Sequence, residues 1–364
     1  MSTTRPTPVR RVVGFVLLAI LAVACAADGG GPAAQDAVDP VAPDVVEPSD
    51  APSPAPAAEP PAGPAGPDAA ERGANELGVI PVIMYHRIIE DGSEYDTSPD
   101  DLRAELTLLF ERGFRPIRAV DLVDGNIDLP PGTSPVVLTF DDSSRSQLQY
   151  LEDGTIDPDS GVGILLEVAG EFRDVEPTAS FYVLGSLFGQ GAEAGAEHLR
   201  ELARLGFELG NHTHGHANLG LLAPEDSRRD LALGAQNIRD AVADVEVRTL
   251  SLPFGVYPSD PTVVAGGAHD DIEYRHDGVL LVGSSPSPSP FSVEFDPMRI
   301  PRIRSQPHHD PDTEPDFGSG YWLWVLDQEP ERLYVSDGSP SRVSFPAELA
   351  DRLEPRFAEL ANPY

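Results

Sequence analysis

The sequence predicts an α/β domain of the barrel type, built on parallel strands, over residues 77–364. Two observations carry that prediction: short apolar runs alternate with stretches of helical periodicity from Leu77 onward, and several of the runs close on His or Asp. In such barrels the polar residues at the C-terminal ends of the strands gather on one face and form the site. The chain has 364 residues, enough to bury a substantial core.

The elements follow in order. "GVIPVIMYH" reads as a strand ending at His86. "SPDDLRAELTLLFERGF" opens on a Ser or Asp cap, carries Leu102, Leu106, Leu109 and Phe110 at helical spacing, and stops at Gly113, so it reads as a helix. The strands "SPVVLTF" and "TASFYVL", the helix "AEHLRELARLG" and the short strand "FELGNH" come next. "VRTLSLPF", "DGVLLVG" and "MRIPRI" are further strand candidates, and a last helix is expected around residues 346–360. No internal repeat is visible.

Residues 1–25 read as an export signal, with Arg5, Arg10 and Arg11 ahead of an apolar run that leads to Cys25, the single cysteine. "LAVAC" resembles the lipobox of bacterial lipoproteins, which implies an acylated Cys25 and a lipid-anchored chain; a plain secretory signal is the alternative. Residues 26–76 are almost wholly Ala, Pro, Gly and acidic, a composition expected of a disordered linker. An extracytoplasmic location follows as the expectation, either anchored to the membrane or secreted. The formal charge is −35, from 60 acidic against 25 basic residues, all of the latter Arg. Nucleic acid is thereby excluded as a partner, because a phosphate backbone demands a cationic face.

The strand "VVLTF" runs into two adjacent carboxylates, Asp141 and Asp142. Burying both costs several kcal/mol unless a positive charge lies beside them. A second cluster, "NHTHGH", places His212 and His216 four residues apart, a spacing that on a helical turn aims both imidazoles the same way. Two His and one carboxylate form a three-ligand set with a position left for water. Successive side chains at a strand end diverge, so one Asp faces the metal and the other the water, as general base. His86 is the candidate general acid, since imidazole titrates near working pH. Zinc, cobalt and nickel all suit such a set.

"TFDD", "HTHGH" and "LPFG" resemble the first three motifs of the polysaccharide deacetylase family, the NodB-homology domain of carbohydrate esterase family four. The resemblance implies a distorted (β/α) barrel and a metal-dependent hydrolase removing N-acetyl groups. It implies Asp141 as the base, Asp142, His212 and His216 as metal ligands, and the Phe254 N–H as a donor to the oxyanion. The early "PVIMYHRI" and late "FDPMRIPRI" resemble the branch acting on exported poly-N-acetylglucosamine, in which the early Tyr-His motif supplies the acid, here His86. An N-acetylglucosamine-containing glycan is then the implied substrate, with Tyr257 and Arg302 as candidate substrate contacts. Two positions depart from the family: Ser143 where Gly is usual, and Ser251 where many members carry an Arg that orients the base; Arg302 is the candidate replacement for that charge. An inactive glycan-binding relative, or a deacetylase of peptidoglycan, xylan or a non-sugar amide, are the alternatives.

Overall fold

The computed structural model describes residues 69–308 and 317–364. The expected signal and nearly all of the expected linker, Cys25 included, lie outside the described residues, as do His309 and Asp310. The folded chain begins earlier than residue 77, because Ala74, Asn75 and Glu76 are already buried. Glu76 is drawn in by backbone N–H groups of Asp337 and Ser344, which its carboxylate accepts at 3.2 and 2.8 Å.

Strand β1 (Val82–Tyr85) leads to helix α1 (Pro99–Glu111), whose N-cap Ser98 accepts a hydrogen bond from the Asp101 N–H as its sequence predicts. Then follow β2 (Phe114–Ile117), α2 (Ala119–Asp124), β3 (Ser134–Phe140), α3 (Gly161–Gly170), β4 (Ser180–Val183), α4 (Ala192–Arg204), β5 (Glu208–Asn211), α5 (Pro224–Ala241) and β6 (Thr249–Ser251). A hairpin of β7 (Gly266–His269) and β8 (Ile272–Arg275) precedes β9 (Gly278–Leu280) and β10 (Ile303–Arg304). Helix α6 (Ser319–Gln328) and the pair β11 (Val343–Phe345) and β12 (Ala361–Pro363) complete the chain.

The main sheet is parallel, in the order β10-β1-β3-β4-β5-β6-β9, with β2 added to the first half of β3. Residues 300–304 join its two edges: Ile300 bonds with β9 on one side, and Ile303 pairs with Ile83 of β1 on the other. The sheet thus curls into a distorted barrel. Strand β3 is buried along its whole length, and its alternation serves two cores. Val136, Leu138 and Phe140 pack with α1 and α3, while Val137 packs with Tyr182, Leu280 and Ile300. The rings of Tyr85, Phe140 and Phe181 stack across three strands at 5.0 and 4.8 Å, each pair contributing about 1 kcal/mol beyond its burial.

One helical expectation changes, and one long helix was not expected. Residues 346–360 form two 3₁₀ turns, Ala347–Arg352 and Pro355–Leu360, in place of one helix. Pro355 lacks the N–H a continuous helix needs and holds Glu354 extended, at φ −61° and ψ 126°. Helix α5, the longest among the described residues, is hard to see in sequence, since much of its buried face is small: Ser227, Ala232, Gly234, Ala235 and Ala241 beside Leu231 and Ile238.

Candidate active site

Because every main strand runs the same way, the residues that follow them meet at one mouth. His86 follows β1, Asp141 and Asp142 follow β3, His212 follows β5, and Phe254 and Val282 lie just beyond β6 and β9. With Arg87, Ser93, Tyr95, Asp96, His216 and Leu252 they line a cavity of about 430 Å³.

The Asp142, His212 and His216 side chains converge there, with one ligand atom of each lying within 4.8 Å of the others. Asp142 Oδ1 stands 3.2 Å from His212 Nε2 and 3.3 Å from His216 Nε2. Two atoms each about 2 Å from one tetrahedral cation stand about 3.3 Å apart, so the spacing fits a shared ion. The hydrogen bonding argues the same way. His212 Nδ1 donates to the Ser251 carbonyl at 2.8 Å, which leaves Nε2 of the neutral ring as a lone pair aimed at a carboxylate oxygen. Both His212 Nε2 and Asp142 Oδ1 are buried without a hydrogen-bond partner. With His212 neutral, two acceptors stand face to face, an arrangement that a cation between them satisfies. Burial works against charge on His212, yet the neighbouring Asp141 and Asp142 carboxylates hold its imidazole above the ordinary value. Burial, with His212 alongside, lowers His216.

The turn that carries the two histidines is not helical, contrary to the spacing argument. Thr213 and His216 both have positive φ, 67° and 52°, and this left-handed path brings the rings together at 5.1 Å. Asp142 and Ser143 likewise adopt φ of 72° and 42°, the conformation that makes Gly usual at position 143. Here Ser143 Oγ accepts from the Leu184 N–H at 3.2 Å.

Asp141 is wholly buried and not one of the trio, its Oδ2 lying 3.9 Å from His212 Nε2. Arg302 grips it from below through Nη1 to Oδ1 at 2.8 Å and Nη2 to Oδ2 at 2.7 Å. The remaining guanidinium protons go to Leu281 O, Thr139 Oγ1 and Ser251 Oγ, so all five donors are used. Ser251 Oγ also donates to Asp141 Oδ2. Burial opposes the charge on Asp141, but Arg302 and His212 hold its carboxyl well below the usual range. Arg302 therefore supplies the cation expected in place of the one missing at Ser251, and it is not a substrate contact, being fully enclosed. Tyr257 lies apart from the cavity: its hydroxyl donates to the Met298 carbonyl and Arg299 covers its ring at 4.7 Å.

His86 lines the cavity, with burial lowering its pKa and Nδ1 left without a hydrogen-bond partner. Buried Gln147, which the motifs do not single out, donates to the carbonyls of both His86 and Asp141 and so ties the ends of β1 and β3 together. Phe254, at φ 60° and 57 % exposed, packs edge-on to His216 at 4.8 Å. His214 points away, toward Asn237. His308 pairs with Asp101 at 2.9 Å, outside the cavity.

Residues 128–266, which hold both aspartates, both ligand histidines and Phe254, match the polysaccharide deacetylase family. Over that stretch the chain is similar to the family. Among curated proteins it is 22% identical over 180 residues to YxkH of Bacillus subtilis, which bears a polysaccharide deacetylase name, covering 49% of this chain and 57% of the relative. It is 26% identical over 137 residues to the chitooligosaccharide deacetylase of Sinorhizobium fredii, covering 38% and 54%. The matches thus span just over half the length of these curated relatives. Similar solved structures include the Streptococcus pyogenes deacetylase PplD in complex with acetate, at TM-score 0.48 and 19% identity over 65% of this chain and 99% of that one. IcaB from Ammonifex degensii gives 0.46 and 18% over 70% and 97%.

Proposed function

We propose that this protein is a member of the polysaccharide deacetylase family that removes N-acetyl groups from N-acetylglucosamine units of an extracytoplasmic polysaccharide, with zinc as the metal. One observation carries the reading: potential ligand atoms of Asp142, His212 and His216 converge, those of Asp142 and His212 buried without a hydrogen-bond partner, beside a carboxylate that Arg302 keeps ionised. The supporting resemblance is the early Tyr85-His86 pair and the late run around Arg302, which match the poly-N-acetylglucosamine branch.

What the cation supplies when bound is acidification of a water and polarisation of a carbonyl. Asp141 accepts the proton of the attacking water, its Oδ1 and Oδ2 aligned by Arg302 and Ser251. His86, which lines the same cavity, donates a proton to the departing amine. The Phe254 N–H, placed by its left-handed turn, donates to the carbonyl oxygen as negative charge develops there. Leu252, Phe254 and Val282 form an apolar wall that limits water around the reacting groups.

The inactive, glycan-binding reading draws on Ser143 and Ser251. Both have a place in the site, Ser143 at the turn and Ser251 in the Arg302–Asp141 network, which supports the active reading. Export and lipid attachment through Cys25 complete the proposal. Acetate release from N-acetylglucosamine oligomers, peptidoglycan fragments and acetylated xylan, with and without a chelator, tests it. Chelator-sensitive release from the first substrate alone is expected; release from none overturns the enzymatic reading.

A further inference from the structure

His276 is a buried histidine that the chemistry above does not use. It connects β8 to β9, is fully enclosed, and does not line the cavity. Its hydrogen bonds nevertheless lead to the metal-binding turn.

Nδ1 of His276 lies 2.7 Å from the Val264 carbonyl, which can only accept, so the proton sits on Nδ1. Burial pushes the imidazole pKa down to about 4, so the ring is neutral and Nε2 is a lone pair. Facing that lone pair at 3.2 Å is Nδ2 of Asn211, the residue before His212. The Asn211 amide is oriented independently by two backbone groups: Nδ2 donates to Leu231 O at 2.9 Å, and Oδ1 accepts from the Thr213 N–H at 2.9 Å. Both lines of reasoning give the same polarity, with His276 accepting and Asn211 donating.

Thr213 is the β-branched residue held at positive φ between the ligands. Such a conformation persists only where its surroundings over-determine it. Helix α5 supplies one side of the hold, as Asp230 accepts from the N–H groups of His214 and Gly215, both at 3.0 Å. Gly234 belongs to the same contact: a Cβ there would collide with Asn211 Oδ1 and the Thr213 backbone. His276 supplies the other side.

We propose that His276 is a positioning residue for the metal-binding turn: its Nε2 accepts from Asn211 and thereby orients the amide that fixes Thr213 between His212 and His216. The proposal rests on the metal site described above but not on the deacetylation reaction.

The test is zinc affinity, measured on the full chain by competition with a chromophoric chelator, for the wild type, His276→Leu and His276→Gln. Removing the acceptor in His276→Leu is expected to weaken zinc binding tenfold or more, on the scale seen when outer hydrogen-bond partners of metal ligands are lost. His276→Gln, whose Oε1 can accept from Asn211, is expected to recover most of that loss. Equal affinity of wild type and His276→Leu overturns the proposal, as does a glutamine variant no better than the leucine one. A wild type that binds no zinc overturns this proposal together with the metal site. Should His276→Leu fail to fold, the imidazole ¹⁵N shifts of the wild type decide: a protonated Nδ1 and bare Nε2 are expected, and a protonated Nε2 contradicts the proposal.

Discussion

Arg302 and Asp141 are 161 residues apart in sequence and meet in the barrel interior as a two-pronged ion pair, both fully buried. The segment that closes the barrel thus also delivers the cation that keeps the candidate base ionised.

Arg302→Lys keeps a charge but loses the fork. The variant is expected to fold and bind metal, with activity reduced ten- to a hundredfold. Fewer donors on Asp141 raise its pKa, so the acid limb of the kcat/KM profile moves to higher pH. An unmoved limb would separate Arg302 from the base. Arg302→Leu strands a buried carboxylate and is expected to cost about 3–5 kcal/mol in chemical denaturation.

The proposed metal site rests on three side chains, so losing one should weaken it. His216→Ala and Asp142→Asn are each expected to contain little metal after dialysis, as read by elemental analysis, while their far-ultraviolet dichroism stays that of the wild type. Stoichiometric metal in either variant would place the ion elsewhere.

Glu76 gives a stability prediction remote from the site. Burial, opposed by backbone hydrogen bonds from Ser344 and Asp337, raises its carboxyl pKa to about 7 from 4.5. A raised carboxyl favours the folded state below the unfolded pKa, and that contribution disappears as pH climbs through the folded value. Relative to Glu76→Gln, which does not titrate, the wild type should lose about 3 kcal/mol of unfolding free energy between pH 4 and pH 8. A difference that stays constant with pH contradicts the buried, proton-holding carboxyl.

Much of the site was legible because its chemistry is local in sequence. Asp141 and Asp142 close an unmistakable buried strand, and the His212 and His216 pair needs only its own short turn. The shape of that turn was not legible: positive φ at Thr213 and His216 is imposed by Asn211 and α5, whose small residues give no apolar stripe. Arg302 was identifiable as a cation but not as a buried one, since its partners Thr139, Asp141, Ser251 and Leu281 lie in or just after three separate strands. Tyr257, a candidate substrate contact just after the third motif, is instead held by Met298 and Arg299.

The central claim divides the adjacent aspartates between two tasks, one binding metal and the other moving a proton. Asp141→Asn, assayed in parallel for metal content and for acetate release from N-acetylglucosamine oligomers, separates them in one experiment. Metal bound as in the wild type with acetate release reduced by about 10²–10⁴ is the predicted result. Full activity, or loss of the metal with the charge, would contradict it.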